Sequence, residues 1–272
     1  VSMPSTTEKH RTSGGTPVWI TGEGSSVVLV HGVQMDHRMW DAQVAALSDG
    51  YRVLCIDMLG HGDAPDPDGE RTLGDFTGQV EEVVSELCEG ERPVIGGFSM
   101  GGLVTQAYGA AHHRSLAGLM ILNAVYDRTP EQAAVVRERS CMAAAKGAEA
   151  AIAAARPRWF REDEIAAQGE MVDEICQWMR DGDFAAKCKA HWVFATSDDQ
   201  VAGRLGDISC PALIMTGDGD AGSTPEMAKA MAAAIPDAEL HILDRQQHMM
   251  PVLDAIRVTG LMRGFLDRGT KR

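Results

Sequence analysis

Long apolar runs are missing from this chain of 272 residues, and no stretch approaches the roughly 20 residues that a membrane-spanning helix needs. Basic residues are also in short supply. The 25 Lys and Arg stand against 39 Asp and Glu, for a net charge of −14. Such a balance lacks the footprint that nucleic acid or an anionic lipid surface would attract, so neither is expected as a partner. The six cysteines (Cys55, Cys88, Cys141, Cys176, Cys188 and Cys210) are scattered, with no CxxC, and there is no HExxH. Structural zinc and metalloprotease chemistry are therefore unsupported, and free thiols in a reducing compartment are expected. Val1 to Gly15 is polar and lacks the apolar segment of a secretory signal peptide, which points to the cytoplasm. Internal repeats and low-complexity linkers are absent as well.

What is present is an alternation. Val27-Val28-Leu29-Val30, Arg52 to Asp57, Pro93 to Gly96 and Leu116 to Asn123 read as buried strands. Between them, Asp36 to Leu47, Thr72 to Cys88 and a segment ending near His112 carry apolar residues at helical spacing. Thr6 to Thr12 and Pro17 to Ile20 read as an edge hairpin turned by Gly14-Gly15. Strands that alternate with helices give a parallel sheet covered on both faces. After Asp127 the pattern changes to Ala-rich helical segments, Ala133 to Ala155 and Glu162 to Met179 among them. They hold Trp159, Trp178 and Trp192. The sheet resumes at Pro211 to Thr216 and ends at Glu239 to Leu243, with a closing helix over Val252 to Leu266. The expected fold class is α/β, a mostly parallel doubly wound sheet with an inserted helical cap. Its expected parts are core over 1–126, cap over 127–200 and core again over 201–272.

The chain is organised around Gly97-Phe98-Ser99-Met100-Gly101, which follows one of these strands and opens a helix. A strand, a sharp turn with serine between glycines and a helix make a nucleophile elbow. A serine nucleophile needs a base within hydrogen-bond reach, and the base needs an orienting carboxylate. Functional groups of open parallel sheets gather past the carboxyl ends of strands. Past the strand ending at Thr216 comes Asp220, and past the one ending at Leu243 comes His248. Asp218 competes for the role of acid, and Asn123 and Asp127 follow a further strand end. His241 lies inside a strand, and His112 and His113 at the far end of the elbow helix, which suits structural or surface roles. Two backbone N–H groups are expected to hold an oxyanion, those of Met100, after the serine, and of Val33, after His31-Gly32. His31 itself is expected to pack structurally beneath that loop.

Taken together, Val30-His31-Gly32, Asp57 with Gly60-His61-Gly62, the elbow, Gly217-Asp218-Gly219-Asp220 and His248 resemble the α/β-hydrolase superfamily along almost the whole chain. Within it, His31 to Trp40, Arg158-Trp159-Phe160 and Ile208-Ser209-Cys210-Pro211 are similar to small cofactor-free carboxylesterases and 3-oxoadipate enol-lactonase-like hydrolases. There are departures: Ala64 stands where many relatives carry serine, Gln247 precedes the histidine, and Asp254 falls about one position late. The resemblance implies a serine hydrolase of a small-molecule ester or lactone, without cofactor or metal, as monomer or homodimer. Perhydrolase or hydroxynitrile-lyase-like activity on the same triad, and ligand binding without turnover, are the alternatives. Trp40, Trp159, Trp178 and Trp192 are candidate substrate contacts. Any of Arg137, Arg139, Arg156, Arg158 and Arg161 is a candidate cation for a substrate carboxylate.

Overall fold

The computed structural model describes residues 6–269. Its hairpin pairs β1 (Glu8–Arg11) with β2 (Pro17–Thr21) in antiparallel fashion, and Gly15 in the turn has φ 95°. There follow β3 (Ser25–Val30), α1 (Asp41–Leu47), β4 (Tyr51–Ile56), α2 (Leu73–Leu87), β5 (Val94–Phe98), α3 (Met100–His112) and β6 (Gly118–Leu122). The insertion is α4 (Pro130–Lys146), α5 (Ala148–Trp159), α6 (Glu162–Ala167), α7 (Gly169–Arg180) and α8 (Phe184–Thr196). The chain closes with β7 (Ala212–Gly217), α9 (Pro225–Ala234), β8 (Ala238–Leu243), α10 (Met250–Leu253) and α11 (Ala255–Gly269).

The strands form one sheet in the order β1-β2-β4-β3-β5-β6-β7-β8, parallel from β4 to β8. Along each inner strand the side chains alternate between two buried faces. Val27, Leu29, Met120 and Met215 lie on one face with α1 and α11; Val28, Val30, Ile121 and Ile214 lie on the other with α2, α3 and α9. Both faces are dry because helices cover both, which is why the strands read as continuous apolar runs. The chain leaves β3 toward β4, then returns past β3 to β5. The order therefore reverses between β3 and β5. The loops after those two strands open a crevice at their carboxyl ends, the place such sheets offer to ligands.

Several expected helices are divided. The segment from Asp36 begins with a 3-10 turn, His37–Trp40, because the Asp36 carboxylate accepts from the Arg38 N–H and fixes a tight start. The Ala133–Ala155 segment breaks at Gly147, whose φ of 81° has no place in a right-handed helix. The Glu162–Met179 segment breaks at Gln168, and the closing helix at Asp254. The insertion is tied to the rest by the ion pairs Arg38–Asp181, Lys189–Asp66 and Arg245–Asp163, at 2.7, 2.7 and 2.6 Å. Half-exposed pairs of this kind contribute little each, about 0–1 kcal/mol. More of the attachment is apolar: Trp159, Phe160, Ile175 and Met179 are buried in the same cluster as Leu29 and Trp40.

Candidate active site

The elbow works because its neighbours allow close approach. Ser99 sits at φ 54°, ψ −112°, a region a non-glycine residue occupies only under constraint. Its N–H donates to the Leu122 carbonyl of β6 and its carbonyl accepts from the Leu103 N–H of α3, so strand and helix pin it from both sides. A Cβ on Gly97 would stand 2.1 Å from the Gly101 carbonyl oxygen, and one on Gly101 would stand 2.2 Å from that of Val30. Only glycine fits at either place. Ser99 is thereby held at the start of α3 with its side chain lifted off the sheet.

Above it stands His248, in the loop after β8. Its Nε2 is 3.1 Å from Ser99 Oγ, and its Nδ1 is 2.7 Å from Asp220 Oδ2. A carboxylate only accepts, so Nδ1 carries the proton. Nε2 is then an acceptor, and the serine hydroxyl donates to it. The Phe98 and Trp159 rings flank the imidazole at centroid distances of 4.9 and 5.6 Å, and Trp159 is stacked. Asp220 is buried and accepts four hydrogen bonds: from His248, from Asn123 Nδ2 at 2.9 Å, and from the Gly222 and Ser223 N–H groups at 2.9 Å each. Burial pushes its carboxyl pKa up, but His248, Asn123 and Ser223 together hold it below the usual carboxylate range. The group is a fixed anion at neutral pH. Asp218 faces away from this chain of bonds and accepts from the Gln246 N–H. Asn123, at φ 46°, is not the acid but a donor to it.

The loop after β3 reaches the same place. A Cβ on Gly32 would lie 3.3 Å from Ser99 Cβ, so the next residue, Val33, borders the serine. The N–H groups of Val33 and of Met100, the first residue of α3, have no acceptor among the described residues. An N–H in the first turn of a helix is unpaired by construction and favours negative charge. His31 is fully buried beneath the loop: its Nε2 accepts from the Met58 N–H and its Nδ1–H donates to the Gly32 carbonyl. Burial pushes its pKa down, and the ring is neutral.

A cavity of about 50 Å³ lies over this group, walled by Val33, Ser99 and His248 from the sheet side and by Arg139, Arg158 and Trp159 from the insertion. Of the four tryptophans expected at a substrate, Trp159 alone lines it. Trp40 is fully buried in the core beside Leu29; Trp178 is buried with the Arg38 guanidinium 5.9 Å over its ring; Trp192 is 46% exposed on α8. Those three do not line this cavity: each lies on a different element, and they face the core or the solvent. Among the arginines, Arg156 and Arg161 pair with Asp173 and Asp163, and Arg137 is exposed. Arg128, which the sequence reading passed over, also lines the cavity. Its signal was its place just after Asp127, at a strand end. A larger cavity of about 350 Å³ lies at the opposite end of the sheet, by Ser25, Val94 and Ala212, away from all of these groups.

No described helix is long and apolar enough to cross a membrane. Comparison with known proteins agrees with the fold. The chain is 30% identical over 247 residues, 90% of this chain and 92% of the other, to an (E)-2-((N-methylformamido)methylene)succinate hydrolase of Acinetobacter baylyi. The structure of the enol-lactonase from Burkholderia xenovorans LB400 superposes with a TM-score of 0.85 at 28% identity, covering 96% of this chain and all of that one. A malate-bound thermophilic esterase from Thermogutta terrifontis superposes at 0.84, also with 28% identity, over 97% of this chain and 99% of its own. Residues 27–259 match the alpha/beta hydrolase family as a whole, and the chain belongs to that family.

Proposed function

We propose that the protein is a serine hydrolase that cleaves a carboxylic ester or lactone of a small molecule through an acyl-enzyme. The observation that carries this reading is the unbroken chain Ser99 Oγ–His248 Nε2 (3.1 Å) and His248 Nδ1–Asp220 Oδ2 (2.7 Å) at the carboxyl end of a parallel sheet. The relatives named as hydrolase, esterase and enol-lactonase support it.

In the first step the Ser99 hydroxyl passes its proton to His248 Nε2 as its oxygen attacks the acyl carbon. The imidazolium that forms is stabilised by Asp220, whose four donors hold it ionised and aimed. The carbonyl oxygen, now negative, lies against the Val33 and Met100 N–H groups, each such donor being worth roughly 10²–10³ in rate. His248 then protonates the leaving alkoxide. A water molecule, deprotonated by the same nitrogen, attacks the acyl-enzyme and releases the acid, leaving Ser99 with its proton restored. In a lactone the leaving alkoxide is part of the same molecule, so the ring opens and the chemistry is otherwise identical.

A fluorophosphonate probe tests this directly. The expected result is one adduct, on Ser99, with loss of all esterase and lactonase activity. Labelling elsewhere, or an active Ser99→Ala variant, would overturn the reading.

A further inference from the structure

Two histidines, His31 after β3 and His61 after β4, meet beneath the loop that carries Val33, with ring centroids 5.0 Å apart. His61 is 1% exposed, and acyl transfer itself does not use it. Its flanking glycines bring it there. Gly60 and Gly62 have φ 77° and 51°. A Cβ on Gly62 would stand 1.9 Å from Asp57 Oδ2, and one on Gly60 would stand 3.0 Å from the Ala186 carbonyl oxygen of α8. The ring is held in one tautomer. Its Nδ1 is 3.1 Å from the Leu59 carbonyl oxygen, which only accepts, so Nδ1 carries the proton. Nε2 is then an acceptor, and it takes the Gln34 N–H at 2.9 Å. Burial first, then His31 and Lys187, pushes the His61 pKa well below its usual value, so this acceptor stays open at neutral pH.

The bond falls on the strained point of the loop. The Met35 N–H donates to the Gly32 carbonyl at 3.1 Å and closes a turn over Gly32, Val33, Gln34 and Met35. Gln34, the third residue of that turn, has φ 68°. Glycine or asparagine usually stands there, and any other side chain makes the conformation cost about 1–3 kcal/mol. Rotating the Val33–Gln34 peptide unit by half a turn would relieve that strain, since this rotation separates the two common turn types. It would also take the Gln34 N–H off His61 and leave a buried donor and acceptor unpaired. On the other side of Val33, His31 Nδ1–H donates to the Gly32 carbonyl. A trans peptide unit is planar, so the Val33 N–H of that same unit points the opposite way, off the rings. The two rings thus hold the peptide units on either side of the Val33 Cα.

We propose that His61 is a positioning residue for the reaction: by accepting the Gln34 N–H it holds the turn over Gly32 to Met35 in its strained form and keeps the Val33 N–H aimed at the oxyanion. The inference rests on the hydrolase reading for the role of that N–H, and on the turn itself for the clamp.

The test uses two amides of different reach. A glutamine side chain brings its carbonyl oxygen to about the place of Nε2, whereas an asparagine stops near that of Nδ1. His61→Asn is expected to lower kcat by about 10–100-fold at unchanged KM, at most the lower range of a lost oxyanion donor. It should weaken an aryl trifluoromethyl ketone by the same factor, because Ser99 adds to that carbonyl and leaves an oxyanion on it. His61→Gln is expected to restore both to within about fivefold of the parent. Amide hydrogen exchange reads the clamp without turnover: Gln34 should exchange slowly in the parent and in His61→Gln, and at least about tenfold faster in His61→Asn. An active parent in which His61→Gln and His61→Asn fall equally in kcat overturns the positioning role and leaves the hydrolase reading standing. A Gln34 amide that exchanges freely in the parent overturns the clamp by itself, even where a variant fails to fold. Slow exchange that His61→Asn releases, in a protein that cleaves no ester or lactone and binds no trifluoromethyl ketone, keeps the clamp and overturns the hydrolase reading.

Discussion

The loops at the ends of the strands and the helical insertion treat their ionisable groups in opposite ways. In the loops after β3, β4 and β7 the buried groups His31, Asp57, His61 and Asp220 are paired. Asp57 accepts from the His37 N–H and ring and from the Asp63 N–H; His31 and His61 each accept a backbone N–H at Nε2; Asp220 has four donors. In the insertion, Arg128, Arg139 and His191 keep buried donors without acceptors. The first arrangement holds a geometry whether or not a ligand is present. The second leaves donors open at the cavity wall. The proposed reaction uses groups on the loops of the sheet, and the facing wall of the cavity comes from the insertion.

The sharpest way to break that division is to remove the nucleophile. Ser99→Ala is expected to lower kcat/KM by at least about 10⁴-fold while keeping the parent's urea midpoint, read by esterase assay and unfolding. A variant that lost both together would make Ser99 a structural residue rather than the nucleophile. Asp220→Asn keeps the shape but reverses the acceptor that fixes the imidazole, and a fall in kcat of roughly 10³–10⁴-fold is expected. Asp218→Asn, outside the chain of bonds, should stay close to the parent. Asn123→Ala withdraws one of the four donors to Asp220, for an expected loss of about tenfold in kcat at unchanged KM; a change confined to KM would count against its positioning role. Lys187 is a buried cation of the insertion with partners of its own. It is 1% exposed, and its ammonium donates to the Trp178 and Asp181 carbonyls. Lys187→Met leaves those carbonyls unpaired and should cost about 1–3 kcal/mol in urea unfolding.

The smallest effect concerns acid. Burial pushes His31 and His61 below their usual pKa, and the neighbouring His31 and Lys187 push His61 further the same way. In the unfolded chain both titrate near 6.5. Below that pH the unfolded state binds protons that the folded state refuses, so stability is full above about 6.5 and declines as pH falls. The slope is at most about 1.4 kcal/mol per pH unit for each ring. A urea midpoint lower at pH 5.5 than at pH 7.5 is expected; a midpoint that rose on acidification would contradict neutral, paired rings in the loops.

How far each region was legible follows from the same contrast. Ser99, Asp220 and His248 could be placed from the chain because a parallel sheet leaves few places for loops, all of them past the strand ends. The start of α9 is local in the same way: Thr224 accepts from the Met227 N–H and Pro225 opens the helix, and a cap and its proline act within one turn. The insertion was legible as helices but not as a wall. Whether Arg139 and Arg158 meet depends on the break at Gly147, a single residue that turns α4 into α5 and sends their side chains to one cavity. Composition and periodicity do not carry that angle. For the same reason Trp192 and Trp159, alike in the sequence, end in solvent and against His248.

The most direct test of the account is to trap the intermediate. Wild-type protein mixed with excess ester, quenched in acid within one turnover and digested, is predicted to carry the substrate's acyl group on the peptide containing Ser99. That adduct should decay as free acid appears and be absent from Ser99→Ala. Turnover with no acylated peptide, or with the acyl group on any other residue, would contradict it.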